Sequence, residues 1–211
     1  MKINLDSPVI VFLTTVADFM ILNILFILCC APVITIGPAV SALYTITMRE
    51  ARHEGGYIFK PFFKAFKNNF KQAFLLSILY LIIGAIFGFG VKFWIEKPEF
   101  STVNQVILVI TGVFAVIFIF SLFYVFALIA RFDNTIFKTV KNAVMLAVFN
   151  LRETFLLTLI HVIVIVLMIF TKGIWIFMMI GGFSVCAYIN SLLFIRVFRQ
   201  YEKIEGGNHD D

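Results

Sequence analysis

The chain has 211 residues, of which 62% are hydrophobic and only 14% are charged, and its formal net charge is +5. A soluble domain is usually about half apolar and about a quarter charged, so this composition excludes an ordinary soluble globule and indicates that lipid surrounds most of the chain. In a membrane protein, topology and anionic lipids explain a basic excess, so we expect no nucleic-acid partner.

Six apolar runs are candidates for transmembrane helices. Five of them are long enough, at about 1.5 Å per residue, to cross a hydrocarbon core roughly 30 Å thick. The sixth, 38–49, is short, and Pro38 suits the first turn of a new helix after the break at Pro32. We predict an all-α polytopic membrane helix bundle of about six transmembrane helices, in a single domain that covers residues 1–211. The five long runs are 8–31, 72–92, 103–130, 153–171 and 174–198.

The first run, 8–31, resembles a secretory signal only in its position near the start. Its apolar stretch is longer than the apolar region of a signal peptide, and no small-x-small cleavage site precedes Pro32. We therefore expect this run to remain as a helix.

The basic residues are unevenly distributed among the segments between these runs. Thirteen of the 17 Lys and Arg lie in 49–72, in 131–152 or after residue 195, whereas the connectors 92–102 and 171–173 hold three. Because basic segments stay on the cytoplasmic side of a membrane, we predict that the three rich segments and the C-terminus are cytoplasmic. The N-terminus is cytoplasmic as well if 38–49 crosses, which we favour, and external if that run is re-entrant.

An internal repeat links the two basic segments. NFKQAFLLS at 69–77 corresponds to NLRETFLLT at 150–158, and Ser41-Ala-Leu-Tyr44 corresponds to Ser121-Leu-Phe-Tyr124. Both copies have the same orientation in the membrane, so we predict two parallel repeats related by an axis along the membrane normal. The repeats cover about 38–92 and about 118–171, the runs 8–31 and 174–198 flank them, and we expect the tail 203–211 to be disordered.

Each basic segment has the pattern of an amphipathic cytoplasmic helix. In the first copy, one face gathers the aromatic residues and an adjoining face the lysines, as expected for a helix in the membrane interface. The aromatic residues are Phe62, Phe63, Phe66 and Phe70. The second copy is less aromatic and carries fewer charges. Such segments serve either as lipid-anchored connectors or as docking surfaces. The candidate residues for binding lipid or a partner are Lys64, Lys67, Lys71, Arg131, Lys138, Lys141 and Arg152.

Two ionisable residues, Asp18 and His161, lie near the middle of predicted membrane helices. A charged group at mid-bilayer is costly and calls for a partner, so one interpretation is a midplane proton or substrate site formed by Asp18 and His161 with Asn23, Tyr124 and Asn190 nearby. The other interpretation is that these are structural polar contacts. We expect the remaining small polar residues to form hydrogen bonds between helices. They are Ser41, Tyr44, Ser121, Tyr124, Asn190 and Ser191.

The sequence contains no pattern typical of an enzyme. The three cysteines lack paired spacing, and the three histidines are scattered over a loop, a predicted span and the tail. No phosphate-binding loop, dinucleotide fingerprint or nucleophile elbow is present. We expect a non-enzymatic protein without catalytic residues, metal or cofactor.

Five stretches resemble the YesL-like family of bacterial integral membrane proteins of unknown function. They are GPAVSALY (37–44), FKAFKNNFKQ (63–72), YVFALIARFDN (124–134), KTVKNAVMLAVFNLRETFLL (138–157) and INSLLFIRVFRQYE (189–202). The resemblance implies a multi-pass protein of the bacterial cytoplasmic membrane. It also implies genes that neighbour carbohydrate ABC transporters, their binding proteins and sugar-responsive two-component systems. It implies no catalytic residue.

Two functional expectations follow. The first is an accessory or scaffold membrane subunit associated with a bacterial carbohydrate ABC uptake system or its sensor. The second is a small stand-alone transporter with a midplane polar site. The sequence leaves open whether the chain forms homo-oligomers and which ligand, if any, it binds.

Overall fold

The computed structural model describes residues 8–96 and 101–206, and within these ranges the regular structure is entirely helical. The predicted all-α polytopic bundle is therefore confirmed. A short 3-10 turn, Val33–Thr35, joins α1 to α2, and a π-helical segment, Met178–Gly182, joins α7 to α8. The helices are α1 (Pro8–Cys30), α2 (Ile36–Ala51), α3 (Phe59–Ile95), α4 (Thr102–Arg131), α5 (Ile136–Phe149), α6 (Leu151–Phe170), α7 (Ile174–Phe177) and α8 (Phe183–Gly206).

Five helical stretches within the described ranges are long and apolar enough to cross a membrane, namely Phe12–Cys30, α3, α4, α6 and Ile174–Tyr201. The run 38–49 lies in α2, whose 16 residues give a length of only about 24 Å. That is less than the hydrocarbon thickness of roughly 30 Å. The sixth crossing thus stays a prediction, although the helix itself is present.

Despite its shortness, α2 lies at the centre of the bundle. Ala39, Ala42 and Ile46 have no exposed surface, and the helix packs against α1, α3, α4 and α8. Gly37 permits a close approach to α3, because a Cβ there would clash with Oγ of Ser77 and would lie 2.9 Å from the carbonyl oxygen of Ala73. The residues that break the apolar run at 31–38 therefore also allow α2 to pack closely against α3.

The first basic segment and the crossing that follows it form one continuous helix, α3, of 37 residues. Pro61 lies in the first turn, where proline is tolerated, and no breaker follows before residue 84. The buried face keeps helical spacing across the predicted joint at 69–77, so the helix continues through it. The buried residues of this helix are Phe62, Ala65, Ala73, Leu76 and Tyr80.

In the second copy the corresponding joint is a break, since α5 ends at Phe149 and α6 begins at Leu151. Between them Asn150 has φ −113° and ψ 56°, outside the helical region. Its side-chain Nδ2 donates to the carbonyl oxygen of Leu146 at 3.1 Å, an asparagine-to-backbone bond that competes with helix continuation. The basic helix α5 is thus separate, whereas in the first copy it is the beginning of α3.

At the C-terminal end, α8 continues to Gly206, so residues 203–206 of the predicted disordered tail are helical. The rest of that tail, 207–211, lies outside the described residues. The buried side chains of α1 to α6 and α8 form one hydrophobic cluster.

Candidate functional sites

Asn23 on α1 is fully buried and holds the π-helical segment in place. Its Nδ2 donates to the carbonyl oxygens of Met178 at 3.0 Å and Met179 at 2.9 Å, and its Oδ1 accepts from the backbone N–H of Ser184 at 3.1 Å. A π-helical turn interrupts the i→i−4 bonding of an α-helix, and hydrocarbon offers no water to replace those bonds. Both polar atoms of the Asn23 side chain are therefore hydrogen-bonded within the protein.

Asp18 and His161, the pair predicted to form a midplane site, lie in helices with different neighbours. Asp18 is exposed on α1 and has no hydrogen-bond or ion-pair partner in the described part of the chain. His161 places Nδ1 2.7 Å from the carbonyl oxygen of Leu157, and its ring centroid lies 4.7 Å from that of Phe123. Because α1 packs mainly against α2, the π-helical segment and α8, while α6 packs against α4, α5, α7 and α8, the structure does not bring the two residues together.

Tyr124 and Asn190 are both buried and have different hydrogen-bond partners. The Tyr124 hydroxyl lies 2.9 Å from Oγ1 of Thr154 and connects α4 to α6. Asn190 places Nδ2 3.5 Å from the Tyr44 hydroxyl, while its Oδ1 is buried without a hydrogen-bond partner among the described residues. Both tyrosine rings contact Phe194, at centroid distances of 5.7 and 5.2 Å. The five predicted intramembrane residues are thus distributed over separate helix contacts.

Three further polar pairs connect neighbouring helices. Asn69 Nδ2 donates to Ser41 Oγ at 3.0 Å between α3 and α2, and the Tyr80 hydroxyl lies 3.0 Å from Ser121 Oγ between α3 and α4. Between α2 and α8, Thr47 Oγ1 lies 2.8 Å from Ser191 Oγ. The interhelical role expected for Ser41, Ser121 and Ser191 is confirmed. Their partners were not predicted from the sequence. Thr47 could have been recognised as one, because it is a small polar residue in an apolar helix.

The predicted basic residues are all exposed, and three lysines of α3 line a shallow groove. Phe59 and Phe63 form its apolar part, with ring centroids 5.0 Å apart in an edge-to-face arrangement. The groove has a volume of about 480 Å³, and we call it the α3 groove. Lys71 lies further along α3, and Lys138, Lys141 and Arg152 lie on α5 and α6. The groove is lined by Phe59, Lys60, Phe63, Lys64, Lys67 and Asn68.

Arginines from three helices meet where α2, α4 and α8 approach one another. A cavity of about 30 Å³ lies between Arg52, Arg131 and Arg199, with Met48, Ile195 and Phe198 as its apolar walls. Arg49 lies one helical turn before Arg52, and we call these four residues the arginine cluster. Of these four arginines, only Arg131 was predicted to bind lipid or a partner. The position of each of the others in the sequence is explained by the excess of basic residues on the cytoplasmic side.

Glu54 places its carboxylate against this cluster. Its Oε1 accepts from Nε of Arg52 at 2.7 Å and its Oε2 accepts from Nη2 at 3.0 Å. The hydrogen bond from Arg52 lowers the pKa of Glu54, and the positive charges of Arg52, Arg131 and Arg49 lower it further. The ion pair therefore favours the folded state above the pKa that Glu54 has in the unfolded chain, and this contribution is lost as the pH falls through the folded-state pKa.

The loop between α2 and α3 contacts two arginines of the cluster, Arg49 and Arg52. His53 has φ 60° and Gly56 has φ 134°, a conformation that favours glycine at the second position. The loop brings the carbonyl oxygen of Tyr57 within 3.0 Å of Nη2 of Arg49, whereas Nε of Arg49 is buried without a hydrogen-bond partner in the described chain. The adjoining loop thus supplies a hydrogen-bond acceptor to Nη2 of Arg49 but none to its Nε.

Comparison with known proteins gives a family match for part of the chain. Residues 19–91 match a family described as "Protein of unknown function, DUF624". No curated protein and no solved structure matches the chain. The matched segment covers the second half of α1, all of α2 and α3 as far as Val91, and therefore includes Asn23, Gly37 and the α3 groove. The finer resemblance to YesL-like proteins stays a prediction.

Proposed function

We propose that this chain is a non-enzymatic accessory or scaffold subunit of a bacterial membrane assembly, and that a partner protein binds the α3 groove. The observation that carries this proposal is the groove itself. Phe59 is 58% exposed although it lies beside a fully buried residue of the same helix turn, Phe62. An exposed aromatic ring that packs on a half-buried one, with lysines on the same groove, is typical of a surface that binds an amphipathic partner.

The groove lies on a helical segment whose other face packs against the rest of the bundle. The other face of the same helical segment buries Phe62 and Ala65, and Asn69 is hydrogen-bonded to α2. A rigid platform loses little conformational entropy when a partner binds, which favours specific association over loose adsorption. The lysines favour an acidic segment, so we propose an acidic amphipathic helix on the cytoplasmic side as the partner element.

The resemblance to YesL-like proteins supports a carbohydrate ABC uptake system, or its sensor, as the source of that partner. The polar residues inside the bundle support an accessory role over transport, because Asn23, Tyr124 and His161 are each held in a different contact. A stand-alone transporter remains the second candidate. It is favoured by one observation, the unpartnered Oδ1 of Asn190 in a side chain that is 2% exposed.

Co-purification from native membranes tests the proposal. We expect the tagged full chain to recover subunits of a carbohydrate uptake system or sensor, and the double variant Lys64→Glu/Lys67→Glu to lose them, because the groove then repels an acidic segment. The control, Lys138→Glu/Lys141→Glu, makes the same charge change on α5, outside the groove, and should retain the subunits.

Equal recovery of the subunits with both double variants at matched abundance would contradict the α3 groove as the binding site. The result that would contradict the accessory role is a preparation that contains only this chain and whose unfolding temperature rises with a sugar. The second result would favour the transporter, and Asn190→Leu should then abolish the sugar-dependent shift.

A further inference from the structure

We propose that the arginine cluster binds a phosphate group. Arg52 from the end of α2, Arg131 from the end of α4 and Arg199 from α8 surround one cavity of about 30 Å³. The space suits a single oxygen atom. The remainder of a tetrahedral anion would lie outside it, between Arg131 and Arg199, which are both exposed.

The positions of these arginines at helix ends do not by themselves explain the cavity. A basic residue near the last turn of a helix interacts favourably with the carbonyl end of the helix dipole, and this accounts for one arginine per helix. It does not account for arginines from three separate helices that line one cavity. A bound anion would interact favourably with all three positive charges.

The chemistry of the side chains favours phosphate over a single carboxylate. Guanidinium groups present planar pairs of N–H donors that match two oxygens of a phosphate, and several of them can bind different oxygens of the same group. Arg49, on the same side of α2 as Arg52, adds a buried Nε without a hydrogen-bond partner in the described chain. Such a donor is costly to leave unsatisfied.

Glu54 carries an anionic group that already binds an arginine of the cluster. Its carboxylate binds Arg52 through both oxygens, and its side chain is 50% exposed, so it approaches the cluster from the solvent side. The lowered pKa of Glu54 has contributions from Arg131 and Arg49 as well as from Arg52, which places the carboxylate within the field of three of the four arginines. We infer that Glu54 competes with a bound phosphate group for Arg52.

The source of the phosphate is either a lipid headgroup or a soluble compound. By the distribution of basic residues, the ends of α2, α4 and α8 are at the cytoplasmic membrane surface, where both sources are present. The two share the chemistry that the cluster recognises, and the probes below separate them.

The test uses the full chain purified in neutral detergent. Binding is measured by calorimetry and by the shift of the unfolding temperature, with inorganic phosphate in one series and short-chain phosphatidic acid in another. Chloride keeps the ionic strength constant. Saturation by inorganic phosphate assigns a soluble ligand, and saturation by phosphatidic acid alone assigns a lipid headgroup. Each result supports the site.

The variants have opposite expected signs. Arg131→Gln and Arg199→Gln should each weaken binding about tenfold, the loss of one charge-assisted hydrogen bond. Glu54→Gln should tighten binding because Arg52 loses its internal competitor. Arg196→Gln is the matched control, since Arg196 is exposed on α8 but does not line the cavity, and binding should not change.

Three outcomes would overturn the proposal. They are the absence of saturable binding of both probes to the wild-type chain, an equal loss with Arg196→Gln, and weaker binding with Glu54→Gln. If a glutamine variant fails to fold, Arg199→Lys keeps the charge and removes the planar donor pair, and unchanged binding in that variant would also contradict the site.

Discussion

Asn23 illustrates how one buried side chain can determine the local structure of a distant helix. The amide lies more than 150 residues from Met178 in sequence, yet it satisfies two carbonyl groups and one N–H group of the π-helical segment and the first turn of α8. Ser184 adds a contact from the other side, with Oγ 2.8 Å from the carbonyl oxygen of Phe19. An isolated polar residue in an apolar run thus serves here as a structural hydrogen-bond partner.

We predict that Asn23→Ala lowers the free energy of unfolding by about 2 kcal/mol, because several buried backbone groups lose their partner and each hydrogen bond inside a membrane contributes roughly 0.6–2 kcal/mol. Thermal or denaturant unfolding of the full chain in detergent measures this loss. The control is Asn68→Ala, at an exposed position of α3, which should change stability by less than about 0.5 kcal/mol. Equal stability of the two variants would show that Asn23 does not hold the π-helical segment.

At the scale of elements, the packing of α2 decides the architecture. With 16 residues it is the shortest of the crossing candidates, but its small residues allow neighbouring helices to approach, as small residues do at helix contacts in membranes. The same approach joins the basic beginning of α3 to the bundle, because the antiparallel α2 covers the face that carries Phe62 and Ala65. The basic beginning of α3, which has the composition of a surface helix, is therefore packed against α2 along one side.

Gly37→Ala tests this packing. The added Cβ would clash with Oγ of Ser77 and would lie 2.9 Å from both the carbonyl oxygen of Ala73 and the ring of Phe126. A backbone oxygen cannot rotate away, so α2 and α3 must separate, and we expect a loss of about 1–3 kcal/mol in unfolding free energy.

Gly112→Ala is the matched control for Gly37→Ala, since a Cβ at residue 112 meets nothing within 4 Å. Its stability should equal or exceed that of the wild-type chain, because alanine is the better helix former. If Gly37→Ala is as stable as Gly112→Ala, the close approach of α2 and α3 is not required for the fold.

At the scale of the whole molecule, the outer surface of the long helices is apolar. Leu81, Phe89, Val109 and Ile169 are each more than 60% exposed, and a surface of this kind is stable only against lipid. The five long apolar stretches support a membrane protein with several crossings. The sidedness of the connectors follows from the distribution of basic residues and remains a prediction.

Cysteine labelling in intact cells tests that sidedness. In a background without native cysteines, we expect Gly55→Cys and Lys141→Cys to react with an impermeant reagent only after the membrane is opened, and Lys172→Cys to react in intact cells. The opposite labelling pattern would show that the topology is the inverse of the predicted one. Labelling of Lys2→Cys in intact cells would show that α2 does not cross and that the bundle has five crossings.

Composition and apolar run length were sufficient to predict the helical class and the approximate positions of the long helices, because a 30 Å hydrocarbon layer demands long apolar segments. Polar residues inside those segments could be identified as well. Their partners could not, since Asn23 and Met178 meet only after α1 and α8 have packed. The same holds for Arg52, Arg131 and Arg199, which appear in the sequence as three unrelated basic positions.

The sequence by itself determined that this protein is a helical membrane bundle with a marked charge asymmetry, because both properties follow from the transfer of individual side chains between water and lipid. Only the tertiary structure decided that the basic start of α3 continues into the following crossing, that Asn150 separates α5 from α6, and that three arginines share one cavity. These features depend on which helix faces meet, and spacing along one chain does not specify that.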